Sequence, residues 1–369
     1  MLGWIPVSLR LLTATGLPAA AAFALLWASH AASVAIESAD QDYVGRQECA
    51  RCHKSNGADH FGSNHAKTWR PASALDELST LPQSVSEGPI DYRVEKRRGR
   101  WHFITRLPGR PEQAIPVHSV LGGERFGLSL ILLASEIEGK PLPRPTLIEA
   151  RYMLEAGSGR LKKSPGLFKG QPPDYNAAIG RVLNRDFAEK CLNCHTGPVQ
   201  SDLARAGGPH PEFGDVGVTC ERCHGPGLEH VKAAEAKAED LQIVHPGKLS
   251  NPDLMELCSQ CHNGFFSLVQ PRPEDVLISN QVTALANSDC YIQSNAGLSC
   301  LDCHNPHENA AEGDPAYVRT CLRCHNEERS ASVLCPVNPT DGCITCHMPE
   351  DVQQDNFHLT DHWIRVVRR

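Results

Sequence analysis

The chain has 369 residues, 41% of them hydrophobic and 6% aromatic, with 36 Lys and Arg against 43 Asp and Glu and a formal net charge of −7. That much apolar material excludes a chain disordered throughout, and the mild acidity excludes a dedicated nucleic-acid binder with its strongly basic face. Sixteen cysteines are more than a reduced cytosolic enzyme carries, while 29 Gly and 27 Pro predict a loop-rich interior that side chains alone fill thinly.

In chain order, Arg10 precedes the apolar stretch from Leu11 to Trp27, which Gly16 and Pro18 interrupt and the small residues Ser33-Val34-Ala35 close. This pattern predicts an export signal over residues 1–35, cleaved after Ala35, and a periplasmic or secreted mature protein. No Cys ends the run to carry a lipid, and no later stretch is apolar for long enough to span a bilayer, so no transmembrane segment is expected after cleavage.

Residues 36–80 form an N-terminal segment around Cys49-Ala50-Arg51-Cys52-His53. About 140 Cys-free residues then precede the next such motif, longer than any ordinary connection, so they need structure of their own. Ile90–Glu95 and Trp101–Thr105 alternate like strands around the charged turn Lys96-Arg97-Arg98-Gly99-Arg100, predicting a hairpin with a solvated tip. Leu128–Leu133 and Ile148–Leu154 predict further strands, the second closed by Gly157-Ser158-Gly159. A small antiparallel β insertion over 81–175 is the expectation.

Residues 176–369 carry six more motifs: Cys191–His195, Cys220–His224, Cys258–His262, Cys300–His304, Cys321–His325 and Cys343–His347. Their spacing is too short for independent domains, which predicts one array with a C-terminal tail. Leu228 to Val244, rich in Ala, Glu and Lys and ending before Pro246, predicts a helix. Gly, Pro and Asn elsewhere allow only short helices and irregular loops. The fold class expected is thus mainly short α-helices and loops around stacked cofactors, with the small β insertion between motifs one and two.

The cofactor follows from the repeat. Seven copies of Cys-x-x-Cys-His use all cysteines but two, where chance at this composition gives roughly 0.03 copies. The spacing is that of covalent c-type haem attachment: residues three and four apart on a helical turn share a face, so both thiols reach the porphyrin edge while the His meets the iron. Cys49, Cys52, Cys191, Cys194, Cys220, Cys223, Cys258, Cys261, Cys300, Cys303, Cys321, Cys324, Cys343 and Cys346 are the attachment residues, with His53, His195, His224, His262, His304, His325 and His347 as proximal ligands to seven haems. Structural zinc or a thioredoxin-like dithiol would not demand a fifth-position His seven times over.

For the opposite faces, the ten further histidines beyond the signal segment outnumber the methionines there, Met153, Met255 and Met348, of which Met348 directly follows a proximal ligand. Bis-histidine ligation is expected. His307 stands too close to His304 to cap the same haem and is placed to reach a neighbour, and His65 and His230 follow motifs one and three by a few residues. His358 and His362, four apart, would share a helical face and supply one ligand between them; His245 before Pro246 is a further candidate. His60, His102, His118 and His210 are solitary, and a surface or hydrogen-bonded role is the commoner one for such residues. The leftover Cys290 and Cys335 suggest one disulfide in an oxidising compartment, the alternative being two thiols packed against haem.

Tyr43–Cys49 through His65-Ala66-Lys67-Thr68-Trp69, with Gly217–Gly227, resembles the multihaem cytochromes c grouped with the tetrahaem electron acceptor of hydroxylamine oxidoreductase. Ser299–His307 and Gly342–Pro349 to Thr360-Asp361-His362-Trp363-Ile364 are similar to exported multihaem cytochromes often fused to tetratricopeptide repeats, a domain not expected here because the sequence runs only a little past Trp363. The resemblance implies periplasmic electron transfer with haems in parallel-stacked and perpendicular pairs, and it strengthens His65, His230 and His307 as distal ligands. Seven haems against four, and the strand-rich insertion, depart from the tetrahaem relative, so its partner does not carry over.

The leading functional reading is an electron carrier whose partners are redox proteins, such as a membrane quinol-linked or outer-membrane conduit cytochrome, with self-association through exposed haems as a further option. The alternative is an oxidoreductase of small nitrogen or sulfur compounds with one open-face haem. Against it stand the absence of a Cys-x-x-Cys-Lys motif, as in pentahaem nitrite reductases, and of any Tyr after Tyr317, where hydroxylamine oxidoreductases carry a crosslinking tyrosine. A filament or conduit subunit shares the physics of the first reading.

Overall fold

A computed structural model of the protein describes residues 42–366, leaving aside 79, 124–126, 166, 168–169, 199–216, 264–279, 311–314, 327, 329–333 and 354–356. The expected signal segment and His210 lie outside the described residues. No helix among the described residues is long and apolar enough to cross a membrane.

The dominant element is a ten-stranded antiparallel sheet: β1 (Trp69–Pro71), β2 (Gln83–Glu87), β3 (Ile90–Arg97), β4 (Arg100–Arg106), β5 (Gln113–Gly123), β6 (Gly127–Ile137), β7 (Lys140–Ala150), β8 (Tyr152–Leu154), β9 (Leu161–Lys163) and β10 (Gly180–Val182). Its main path runs β10-β7-β6-β5-β4-β3-β2, with β1 on β5 and β8 between β6 and β9. This corrects the expected small insertion. β5 lies outside the runs read as strands, and β7 holds Pro141, Pro143 and Pro145, residues that weaken a strand signal. The second half of β7 pairs regularly with β6 from Thr146 to Glu149, beyond those prolines.

The β3–β4 hairpin forms as its alternation predicts, with Arg98 and Gly99 at positive φ in the two-residue turn. The run read as one strand from Ile148 to Leu154 is two, because β7 ends at Ala150 and β8 begins at Tyr152. Between them the fully buried Arg151 makes a bidentate ion pair with Glu87, at 2.8 and 3.0 Å, and donates to the Gly170 carbonyl.

Period-two alternation gives the sheet two buried faces. Leu128, Leu130, Leu132 and Ala134 of β6 point into one core with Tyr92, Phe103, Ile115, Tyr152 and Tyr175. Ile131 points the other way, joining Trp69, Leu147, Leu183, Ala188 and Leu192. A bulge between Val117 and Ser119 shifts the phase of β5 so that Val120 rejoins the first core. The second face receives the Arg185–His195 helix, which Asn184 caps by accepting from the Phe187 N–H at 3.0 Å, so the sheet is the platform on which motif two is mounted.

Beyond the sheet the helices are short, from 4 residues at Glu221–His224 to 12 at Asn251–His262. The helix expected over Leu228–Val244 stops at Glu235, with Lys237 at φ 55°. The chain turns back there because its later carbonyls are needed elsewhere: Leu241 O and Val244 O accept from histidine rings. A two-stranded sheet of β11 (Glu350–Gln353) and β12 (Phe357–Thr360) carries the C-terminal tail.

Candidate functional site

Within the motifs one helical turn sets the spacing. The His53 N–H donates to Cys49 O at 3.0 Å, and His224, His304 and His325 repeat this bond to Cys220, Cys300 and Cys321 at 2.9–3.0 Å. Both thiols and the imidazole of a motif thereby lie on one side of its turn.

Four imidazole pairs form across remote parts of the chain. His53 faces His230 with ring centres 6.0 Å apart, His262 faces His65 at 6.1 Å, His224 faces His307 at 6.2 Å and His304 faces His362 at 6.2 Å. Two imidazole nitrogens that each reach a first-row metal at about 2 Å from opposite sides place their ring centres about 6 Å apart. Each pair joins one proximal histidine to one candidate cap from another motif's surroundings. Motif one's His53 thus meets a ring from beyond motif three, motif three's His224 one from beyond motif five, motif four's His262 one from beyond motif one, and motif five's His304 one from the C-terminal tail.

Backbone carbonyls select the tautomer. His65 Nδ1 lies 3.0 Å from Pro306 O, His224 Nδ1 2.9 Å from Val244 O, His230 Nδ1 2.8 Å from Leu241 O, His347 Nδ1 3.0 Å from Arg365 O and His362 Nδ1 2.9 Å from Thr360 O. A carbonyl can only accept, so Nδ1 carries the proton and Nε2 keeps its lone pair for a metal. Burial, then the neighbouring His65, His362 and His304, pushes His262 down to about 4; burial and His262 do the same for His195. Both rings are therefore uncharged at neutral pH, as ligation requires.

The segment Asn305–His307 does double service: Pro306 O orients His65 while His307 faces His224. Gly217 closes the same region. A Cβ there would lie 1.9 Å from Ala66 O, so the approach of the two backbones excludes any side chain.

The other candidates are placed differently. Of the pair His358 and His362, the second faces a proximal ligand; the first lies in β12 rather than on a helix, and its side chain is outside the described residues. His245 is exposed beside Gly247. His102 bonds its own strand at Arg100 O, and His118 sits at the β5 bulge beside Ser119 Oγ. His60 is buried, with its Nδ1 lacking a hydrogen-bond partner, and burial with the surrounding His65, His307 and Arg46 lowers it to about 4. Among the described residues, His, Cys, Asp and Glu meet in no group of three or more suited to a metal.

The expected Cys290–Cys335 bridge is not formed. Cys290 lies in the field of Cys324, Cys303 and Cys321, whereas Cys335 Sγ accepts from the Asn338 N–H. Thiols of different motifs do meet: Cys49 with Cys220, Cys194 with Cys261, Cys258 with Cys300 and Cys321 with Cys343.

One residue that sequence reasoning passed over occupies the variable interior of a motif. Glu221 accepts from Val44 N, Gly45 N and Gly227 N at 2.8–2.9 Å, which ties the start of the described chain to motif three. It stands between Cys220 and Arg222, where the attachment rule leaves the residue free, so no sequence signal marks it.

No protein-family model matches the chain. Among curated proteins it is similar to the dissimilatory sulfite reductase MccA of Wolinella succinogenes, 22% identical over 380 residues that cover 86% of this chain and 52% of that protein. The chain thus spans about half the length of the curated relative it matches. Among solved structures it is similar to the outer cell wall cytochrome OcwA, with a TM-score of 0.49 and 15% identity over 88% of this chain and 80% of that one. The repeated attachment motif makes the chain a multihaem cytochrome c.

Proposed function

We propose that the protein is an exported electron carrier, periplasmic or extracellular, that holds seven c-type haems, most of them between two histidines. The observation that carries this reading is the set of four facing imidazole pairs at 6.0–6.2 Å. The proximal set is His53, His195, His224, His262, His304, His325 and His347, with His230, His307, His65 and His362 capping the first, third, fourth and fifth haems.

Haem bound in this way supplies one-electron redox chemistry. The chain's own residues attach it through the motif cysteines, fix the ligand tautomers through Val244 O, Leu241 O, Pro306 O, Thr360 O and Arg365 O, and bring thiols of different motifs together. Ligation by two histidines would occupy the positions a substrate needs and would favour a potential below that of a Met/His pair. The partners are redox proteins, a membrane quinol-linked or outer-membrane conduit cytochrome among them, and export rests on the apolar segment before Ala35.

A second reading, reduction of a small sulfur or nitrogen oxyanion at one open haem, draws on the sulfite reductase likeness and on His195. Its Nδ1 is buried and lacks a hydrogen-bond partner, and no imidazole faces the ring among the described residues. Low-temperature EPR of the oxidised protein with haem quantitation by mass decides. Seven haems, all low-spin, is the expected result. One stoichiometric high-spin haem that binds sulfite, nitrite, hydroxylamine or cyanide would overturn the carrier reading.

A further inference from the structure

Motifs two and four meet reciprocally. Cys194 Sγ lies 3.8 Å from Gln260 O and Cys261 Sγ lies 3.9 Å from Asn193 O, so each thiol faces the carbonyl just before the other. Since a motif thiol becomes the thioether at a haem edge, two haem edges meet here. Arg222, from the interior of motif three, reaches the same place. It donates through Nη2 to Asn193 O, hydrogen-bonds the Cys261 thiol, and its Nε is buried without a partner. Among the described residues no carboxylate pairs with it; its neighbour Glu221 is engaged with Val44, Gly45 and Gly227.

The chain contains its own comparison. Motif six has an arginine, Arg323, at the position of Arg222, and motif five has Asp302 at the position of Asn193. Arg323 Nη2 binds Asp302 Oδ1 at 2.7 Å, so that the arginine is neutralised by the second variable residue of the preceding motif. At the junction of motifs two and three, the Arg222 guanidinium meets the neutral backbone oxygen of Asn193 instead of a carboxylate.

We infer that Arg222 is an electrostatic tuning residue that raises the potential of the haem pair on motifs two and four and makes this junction the point where electrons collect. The inference rests on the multihaem reading above. Reduction of each iron takes one electron from the reductant and makes or breaks no bond. It removes one unit of positive charge, so an uncompensated guanidinium beside the two edges favours the reduced state. The effect is greatest where water is excluded, and the paired Arg323 exerts far less on its own neighbours.

Two charge-exchange variants test this in the full-length holoprotein by spectropotentiometric titration. Asn193→Asp copies the Leu-Asp sequence that motif five already carries between its cysteines, leaving Arg222 in place. Two components are expected to shift to lower potential by about a tenfold change in their one-electron equilibrium, about 59 mV, while the others stay. Asp302→Asn is expected to move a different subset upward, and Arg222→Gln to move the same components as Asn193→Asp. The inference is overturned if no component moves, if all move together, or if Asn193→Asp and Asp302→Asn shift potentials in the same direction. A haem count below seven, by mass, would instead strike at the underlying reading and leave the charge effect measurable on the haems present.

Discussion

Replacing Arg151 by methionine probes the densest charged knot in the sheet. The Arg151 side chain is 1% exposed and that of Glu87 16%, and Glu87 also accepts from Lys163 Nζ at 2.6 Å and from Tyr152 OH at 3.2 Å. Removing one partner of a buried pair costs about 3–5 kcal/mol, because the other is left charged and uncompensated. Lys163 still serves Glu87, so the expectation for Arg151→Met is the lower end, about 3 kcal/mol. Glu87→Gln removes the carboxylate that neutralises the buried guanidinium, which keeps the neutral Gly170 O as an acceptor, and should cost at least as much. The double variant removes both members of the buried pair and leaves only Lys163, whose side chain is partly exposed, without Glu87; it should recover about 1–3 kcal/mol of the summed losses. Urea unfolding of the holoprotein, followed by far-UV circular dichroism for the sheet and by haem absorbance separately, measures this. Acid adds a second signature. Burial opposes the Glu87 charge, but hydrogen bonds from Arg151 and Lys163 outweigh it and hold the carboxyl at about 2, against an ordinary 4.5. Its folded pKa lies below its unfolded one, so its contribution is complete above about pH 4.5 and is lost as pH falls towards 2, with a ceiling of about 3 kcal/mol. Wild-type stability should carry that slope and Glu87→Gln should lack it. A loss under about 1 kcal/mol for Arg151→Met, or strict additivity in the double variant, would refute the reasoning.

Other expectations concern the haem region. His230→Ala, His65→Ala, His307→Ala and His362→Ala should each convert one haem from low to high spin by EPR, whereas His102→Ala should convert none; an unchanged spin count in His230→Ala would break the pairing with His53. Glu221→Ala removes the acceptor of three backbone N–H groups and should cost about 2–4 kcal/mol locally, read as faster amide exchange at Val44, Gly45 and Gly227 than in wild type. Labelling of the unfolded, unreduced protein should find two reactive thiols, Cys290 and Cys335; finding none would restore the disulfide.

Much of the site was legible because covalent attachment needs fixed spacing: the motif cysteines and their histidines are read one by one. His65, His230, His307 and His362 stood out as candidates, but their assignments depend on chain reversals no local pattern encodes. The helix from Leu228 illustrates this. Its composition favours continuation to Val244, yet two imidazoles claim carbonyls at Leu241 and Val244, and helix propensity of a few tenths of a kcal/mol per residue gives way. The sheet was read too small for a related reason: Pro141, Pro143 and Pro145 interrupt β7, while tertiary pairing with β6 overrides a weak local signal. Arg222 and Glu221 hid in positions that the attachment rule leaves free.

The interlaced capping also governs how the molecule is born. A histidine from beyond motif five faces the His224 ring of motif three, and His362 from the tail faces the His304 ring of motif five. Contacts of such long sequence separation are late events in folding. If these rings cap haems as proposed, a growing chain with its first haems attached would carry irons that lack one ligand until the capping segments arrive. Truncation just before His362 is expected to leave one haem high-spin and reactive with added peroxide, read as bleaching of its absorbance.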